Sequence, residues 1–351
     1  MADVVVAGAG MAGLAAAAEA RSLGAEPLLL EKFDHAGGSM VLSSGVVWRH
    51  RDFARFREEC PRGDERLQRT LFDRLDDDLD WLESLGAPVA ERGTGNPLTT
   101  GVRFDPAGLR DALLEAAGGA RFNEALDLLP GGGPVVLATG GFQASPDLVR
   151  THVTSEEPLL RAAPGSTGDG LRLGLEAGAE RSAGLDEFYG RNMPAPPARL
   201  EPADFVRAAQ LYARHAEVSN ESGESYAART WSEIDVVQWT ARQPGARAWY
   251  RVQDEALDEK VRDRTVADMV EAAEAAGAPV NRQDGAVIVE TVAGITTTLG
   301  GLKIDERARA APGLLAAGAD AGGIATGGYA SGLAAALVFG RIAARSALEG
   351  T

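Results

Sequence analysis

The chain has 351 residues, 45% hydrophobic and 25% charged, with a formal net charge of −16. That length fits two domains, or one domain carrying an insertion, and the composition is that of an ordinary globular protein. The acidic balance excludes a nucleic-acid backbone or an anionic membrane as the main partner, because both would repel it. A single cysteine, Cys60, excludes an intrachain disulfide, an iron–sulfur cluster and a thiolate zinc site, and it suits a cytoplasmic location. The apolar opening has no basic leader and is broken by glycines, so it is not read as a secretory signal. No segment approaches the ~20 uninterrupted apolar residues that a membrane span needs.

Residues 3–7, DVVVA, are a short β-branched run of the kind buried in a parallel sheet. Gly8-Ala9-Gly10-Met11-Ala12-Gly13 follows, then an alanine-rich stretch expected to be helical to about Leu23, then Gly24 and a second apolar strand ending at Glu31. Strand, glycine turn, helix and strand make a nucleotide-binding βαβ unit. In such a unit Gly8 allows the tight turn, Gly10 lets backbone approach a pyrophosphate, and Gly13 lets helix and strand pack closely. The phosphates are expected at the helix start, around Met11 and Ala12, where free N–H groups and the dipole favour negative charge. Glu31, followed by Lys32, lies about 20 residues beyond the glycines, where an acid accepts hydrogen bonds from an adenosine ribose and disfavours a 2′-phosphate. This fingerprint alone fits NAD or FAD. Residues 32–48 add Gly37 and Gly38 and then a small-residue run from Ser39 through Ser43 to Gly45. An NAD domain has no need of that strip, whereas the ribityl chain of a flavin needs backbone close along a second stretch.

Residues 134–141, PVVLATGG, are another buried strand with Ala138, Thr139 and Gly140 at its end, and residues 312–323 repeat the pattern with Gly318 and Asp320. The segment between them differs in character, with Pro194, Pro196, Pro197 and the tryptophans Trp231, Trp239 and Trp249. It reads as a cap inserted into the nucleotide domain, with helices expected over 202–217 and 264–277. The fold class is therefore α/β: a Rossmann-like FAD-binding domain with an inserted α+β substrate cap. FAD-binding parts are expected over 1–142 and 294–351, and the cap over 143–293. His35, His50, His152 and His215 show no spacing that suggests a metal site, so none is expected; His35 lies either near the FAD ribose or on the surface.

In order along the chain, VVVAGAGMAGLAAAAEA (4–20), LLLEKFDHAGGSM (28–40), VVLATGGF (135–142), GSTGDGLRLGLEAGA (165–179), TTLGGLKID (297–305) and PGLLAAGADAGG (312–323) resemble the FAD-dependent fumarate reductase, succinate dehydrogenase and 3-ketosteroid dehydrogenase superfamily, which has the GR2-type flavoprotein fold. The resemblance implies FAD at Gly8, Gly10, Gly13 and Glu31, with Gly37, Gly38 and Ser39 near the pyrophosphate and flavin. It implies Asp320 at the ribityl chain, and Ser331, Gly332 and Leu333 at the last helix start, facing the flavin pyrimidine edge. Covalent members attach the flavin to a histidine near the Gly37-Gly38 position. Ser39 and Met40 stand there instead, so the FAD is expected to be non-covalent. The chain departs from the fumarate reductases at three places. Thr297 replaces a histidine, Glu233 aligns approximately with the proton-donating arginine, and Gly328 falls near a carboxylate-clamping arginine. Residues 121–133 are also shorter than the corresponding meander of relatives.

The Tyr329-Ala330-Ser331-Gly332 run looks like the C-terminal motif of the steroid dehydrogenase branch. Tyr329 is accordingly a candidate base or proton relay with Ser331 as its hydrogen-bond partner; alternatively Tyr329 packs on the flavin and Ser331 caps the last helix. Tyr189 and Arg191 occupy a segment that lines the substrate side in the family. Arg191 either polarises a ketone or holds a carboxylate, or it pairs with an acid such as Glu187. Glu233 is either a base or a solvated helix residue. The expectation is an FAD-dependent dehydrogenase or reductase acting on a CH–CH bond beside a carbonyl of a small-molecule substrate, with an unidentified electron acceptor. The alternatives are a fumarate-reductase-like enzyme for a carboxylate and an FAD-binding protein without catalysis.

Overall fold

The computed structural model describes residues 2–349, which divide into two compact units. The first comprises residues up to Ser145, then Ala163–Glu187, then the chain from Thr297 onward; the second comprises Pro146–Ala162 and Phe188–Thr296. Residues 163–187, expected in the cap, thus belong with the first unit. Lys32 ties them there through Asp169, and Thr139 accepts a hydrogen bond from the Gly170 N–H.

The first unit is built on a six-stranded sheet in the order Arg309–Ala311, Leu314–Ala316, Val135–Leu137, Val4–Ala7, Pro27–Glu31, Arg121–Phe122. All neighbours pair in parallel except the first two, which form an antiparallel edge. The three central strands are apolar apart from Glu31 at the end of one, as strands covered on both faces tend to be. Helix Met11–Ser22 follows the first strand and packs on Gly332–Leu348, the last helix. Gly340 makes that approach possible, since a Cβ there would lie 2.4 Å from the Ala12 carbonyl oxygen. A separate antiparallel sheet joins Val46–His50, Thr99–Phe104 and Val89–Arg92.

The second unit centres on the 13-residue strand Ala286–Thr298, which pairs antiparallel with Arg247–Gln253 and Val280–Gln283. Its core gathers Tyr212, Tyr250, Val252, Met269 and Val289. The expected helix over 264–277 is present as Val266–Ala275, opened by a capping box between Thr265 and Asp268. The expected helix over 202–217 is not. There the chain makes two single 3₁₀ turns, Pro202–Asp204 and Ala213–His215, and then the strand Glu217–Ser219. Tertiary hydrogen bonds override the helical spacing: Gln210 N–H donates to the Asn192 carbonyl, and the Gln210 side chain donates to the Ala208 and Met269 carbonyls.

Candidate FAD site

The site in the first unit is assembled from turns at the ends of the parallel strands. Gly8, at φ +100°, leaves the first strand so close to its neighbour that a Cβ would sit 2.3 Å from the Ala138 oxygen. A Cβ at Gly13 would sit 1.8 Å from the Gly8 oxygen, which locks the helix against the turn. Gly10 is different. A Cβ there meets nothing within 4 Å, and one at Gly38 meets only the Gly10 Cα, 3.5 Å away. Two glycines from separate turns thus pack side by side, with open space at the Gly10 Cβ position, and are joined by the Gly37 N–H donating to the Ala9 carbonyl at 2.8 Å. The helix that starts beside Gly10 has neither a side-chain cap nor an acidic residue in its first turn, so the amides around Met11 and Ala12 are left for an anion. This cradle fits a pyrophosphate.

Glu31 is buried and bonds backbone at both oxygens: the Ala9 N–H donates at 2.8 Å and the Phe33 N–H at 3.0 Å. A carboxylate held in this way keeps lone pairs for a ribose. Lys32 donates to Thr167 at 2.9 Å and to Asp169 at 2.7 Å, a bond between two segments. Ser39 accepts the Ala163 N–H at 3.0 Å. Ser43 closes its own turn by donating to the Met40 carbonyl and accepting from Gly45 N–H. Gly45, at φ +71°, lies where a Cβ would meet the Phe104 oxygen at 2.1 Å. His35 is exposed and paired with Asp34.

Asp320 is almost fully buried and organises the third turn. Its carboxylate accepts from Thr139 N–H, from the Thr139 hydroxyl at 3.1 Å and from Gly141 N–H at 3.2 Å. Burial pushes this carboxyl above its ordinary range, and those donors only partly oppose it. Gly140, at φ +98°, and Gly318, at φ +66°, supply the backbone reversals on either side. Near them, Ser331 caps the last helix: its hydroxyl accepts the Ala334 N–H at 3.2 Å. The next residues, Gly332 and Leu333, are exposed and half-buried, and a Cβ at Gly332 meets nothing within 4 Å.

Tyr329 is half-buried and sits edge-on to Trp48, ring centroids 5.8 Å apart. His50, two residues along the same strand and fully buried, engages the Tyr329 backbone. Burial and the nearby Arg55 lower the His50 imidazole to about 4. Neither Trp48 nor His50 was among the candidate residues, although their i, i+2 spacing in VVWRH places both on one face of a strand.

In the second unit, Arg191 is buried, donates to the Ser232 carbonyl and stacks over the Tyr189 ring at 4.8 Å. Glu187, offered as its partner, instead accepts from Arg62 at 2.6 Å and from the Gly327 N–H at 2.6 Å. Burial would raise the Tyr189 phenol, but the guanidiniums of Arg191, Arg161 and Arg262 outweigh it and hold the group below the ordinary tyrosine value. Glu233 is not a solvated helix residue. It is buried at the start of Ile234–Thr240 with φ +57°, and burial raises its carboxyl.

The family described as FAD binding domain matches residues 3–124 and 132–333, most of the chain and every turn described above. The chain belongs to the FAD binding domain family. FAD is therefore the cofactor of this chain. A vinyl phenol reductase of Lactiplantibacillus plantarum is 28% identical over 263 residues, which cover 60% of this chain and 52% of that protein. The chain thus spans about half the length of that relative. Among solved structures, a 3-ketosteroid-Δ4-(5α)-dehydrogenase of Rhodococcus jostii superposes with TM-score 0.74 at 19% identity, covering 99% of this chain and 96% of that one. A flavocytochrome c3 fumarate reductase in its open conformation superposes with TM-score 0.73 at 21% identity, covering 99% and 78%. These superpositions establish the α/β flavoprotein fold, GR2-type, for the FAD-binding domain family member described here. Among the described residues no helix is long and apolar enough to cross a membrane, and no His, Cys, Asp and Glu cluster could hold a metal ion.

Proposed function

We propose that the protein is an FAD-dependent oxidoreductase that adds or removes hydrogen across a carbon–carbon bond beside a carbonyl, with its FAD held non-covalently. The observation that carries this reading is the position of Tyr329: half-buried, edge-on to Trp48, two residues before the helix cap Ser331, in the unit that contains the FAD cradle. When bound, the flavin supplies the hydride acceptor or donor. Glu31 and the amides around Met11 would hold its adenosine and pyrophosphate, and the N–H groups at Gly332 and Leu333, at the start of the last helix, would face developing negative charge. The proton on the neighbouring carbon needs a residue of this chain, and Tyr329 is assigned to it. Tyr189, whose phenol is made more acidic by three guanidiniums, is a second group able to carry a proton.

A second reading has an observation of its own. Arg191, Arg161 and Arg262 around Tyr189 form a cationic cluster that suits a carboxylate. Anaerobic bleaching of the flavin separates the two. The main reading expects bleaching by a 3-ketosteroid or a related cyclic ketone, and none by succinate-type acids; the reverse pattern favours the carboxylate. Tyr329→Phe is expected to retain FAD and lose about 100-fold or more of the reduction rate. Near-normal reduction would remove Tyr329 from the chemistry.

A further inference from the structure

The run that ends in Tyr329 is held from two sides. On one side the segment after Phe53–Glu59 clasps its backbone. Arg62 N–H donates to the Thr326 carbonyl at 3.1 Å, Asp64 N–H to the Gly323 carbonyl at 2.8 Å, and the buried Gln68 amide to the Ile324 carbonyl at 2.8 Å. Gly328 fits so tightly that a Cβ would lie 1.7 Å from the Glu59 oxygen. On the other side stands the Glu187 side chain, only 2% exposed, while His50 meets the Tyr329 backbone itself. One of its oxygens accepts from Arg62 and the other from the N–H of Gly327, both at 2.6 Å.

These two bonds do not weigh equally. The Arg62 side chain is 63% exposed, so solvent screens its charge and it contributes little to holding the carboxylate. The Gly327 bond is a charge-assisted contact between a buried carboxylate and a backbone N–H, the stronger kind. It also fixes Gly327, whose φ of +92° only glycine adopts readily. Beyond it the chain has no freedom before Tyr329, because Gly328 is wedged and Tyr329 rests on Trp48.

We propose that Glu187 is the positioning residue for Tyr329, setting through the Gly327 N–H where the phenol lies relative to Trp48. The proposal rests on the reading of Tyr329 as the proton-handling group for its catalytic consequence only; the placement itself is independent of that reading. Glu187 does not touch the substrate. Its substitution should therefore lower kcat with little change in KM, because a displacement of about 1 Å at a reacting group costs on the order of 100-fold.

The test uses FAD-loaded, full-length protein labelled with 3-fluorotyrosine, whose five tyrosines give separate 19F signals. The Tyr329 signal is the one missing in Tyr329→Phe. In Glu187→Gln the amide accepts from one donor only and turns an N–H towards the other, so the Tyr329 signal should shift or broaden while the other signals and the FAD content stay as in the wild type. Glu187→Asp keeps the charge but shortens the reach, folds under milder perturbation, and should move the same signal. An unmoved Tyr329 signal in either folded variant overturns the proposal, as does a shift shared equally by all tyrosines. A moved signal in a protein whose oxidised flavin no ketone bleaches and whose reduced flavin no unsaturated ketone reoxidises would leave the positioning intact and sink the assigned activity instead.

Discussion

His50 shows how a single buried side chain makes the first unit sensitive to acid. Its imidazole is fully buried among Trp48, Phe56 and the Tyr329 backbone, and it titrates at about 4 instead of near 6.5. As pH falls, the unfolded chain takes up this proton before the native one does, so stability is whole above about pH 6.5 and is lost progressively towards pH 4. The shift corresponds to roughly 3 kcal/mol. Urea unfolding of the wild type should therefore lose up to about 3 kcal/mol more between pH 7.5 and 4 than that of His50→Gln. Parallel pH dependence of the two proteins would contradict this. Cys60, by contrast, is a buried thiol pushed up by its surroundings, and thiol reagents should leave it unmodified in the folded protein.

Among elements, the contact between Met11–Ser22, Glu65–Ser84 and Gly332–Leu348 is settled by charges as well as by alanine and glycine packing. Arg341 reaches from the last helix to Glu19 at 2.8 Å and to Asp78, and lies 4.2 Å over the Trp81 ring. Arg345 bonds Glu19 as well, at 2.5 Å. Glu19 and Asp78 are 2% and 1% exposed, so neither can be rescued by water. Arg341→Met leaves Glu19 with Arg345 but strips Asp78 of its main partner. Such an unpaired buried charge should cost about 3–5 kcal/mol in chemical denaturation. Adding Asp78→Asn to Arg341→Met should recover most of that, because the charge itself is then gone. A loss below about 1 kcal/mol for the single variant would mean that the network is solvated after all.

At the scale of the whole molecule, what the sequence displayed was what the chain builds locally. The strand, the turn through Gly8, Gly10 and Gly13, the helix and Glu31 are contiguous, so each residue's duty follows from its neighbours, and the structure places them accordingly. Ser331 as a cap was equally readable from the helix that follows it. The rest depends on partners far away in the chain. Helical spacing over 202–217 gives way to bonds with Asn192 and Met269, Lys32 turns to a segment more than a hundred residues on, and the Gly327 N–H finds Glu187 at a separation of 140 residues. No local pattern marks such pairings, because the carboxylate and the N–H become neighbours only when the sheet and helices have formed. The claim that everything else builds on is FAD in the cradle between Gly10 and Gly38, and Gly10→Val tests it most directly. Gly10 has φ −80° and open space at its Cβ position, so the variant should fold and, in the absence of cofactor, melt with the wild type. In a titration followed by flavin absorbance, the wild type should take up about one FAD per chain and the variant should bind about 100-fold more weakly, or some 2.7 kcal/mol. A wild type that stays colourless, or a folded Gly10→Val protein that binds FAD as well as the wild type, would contradict it.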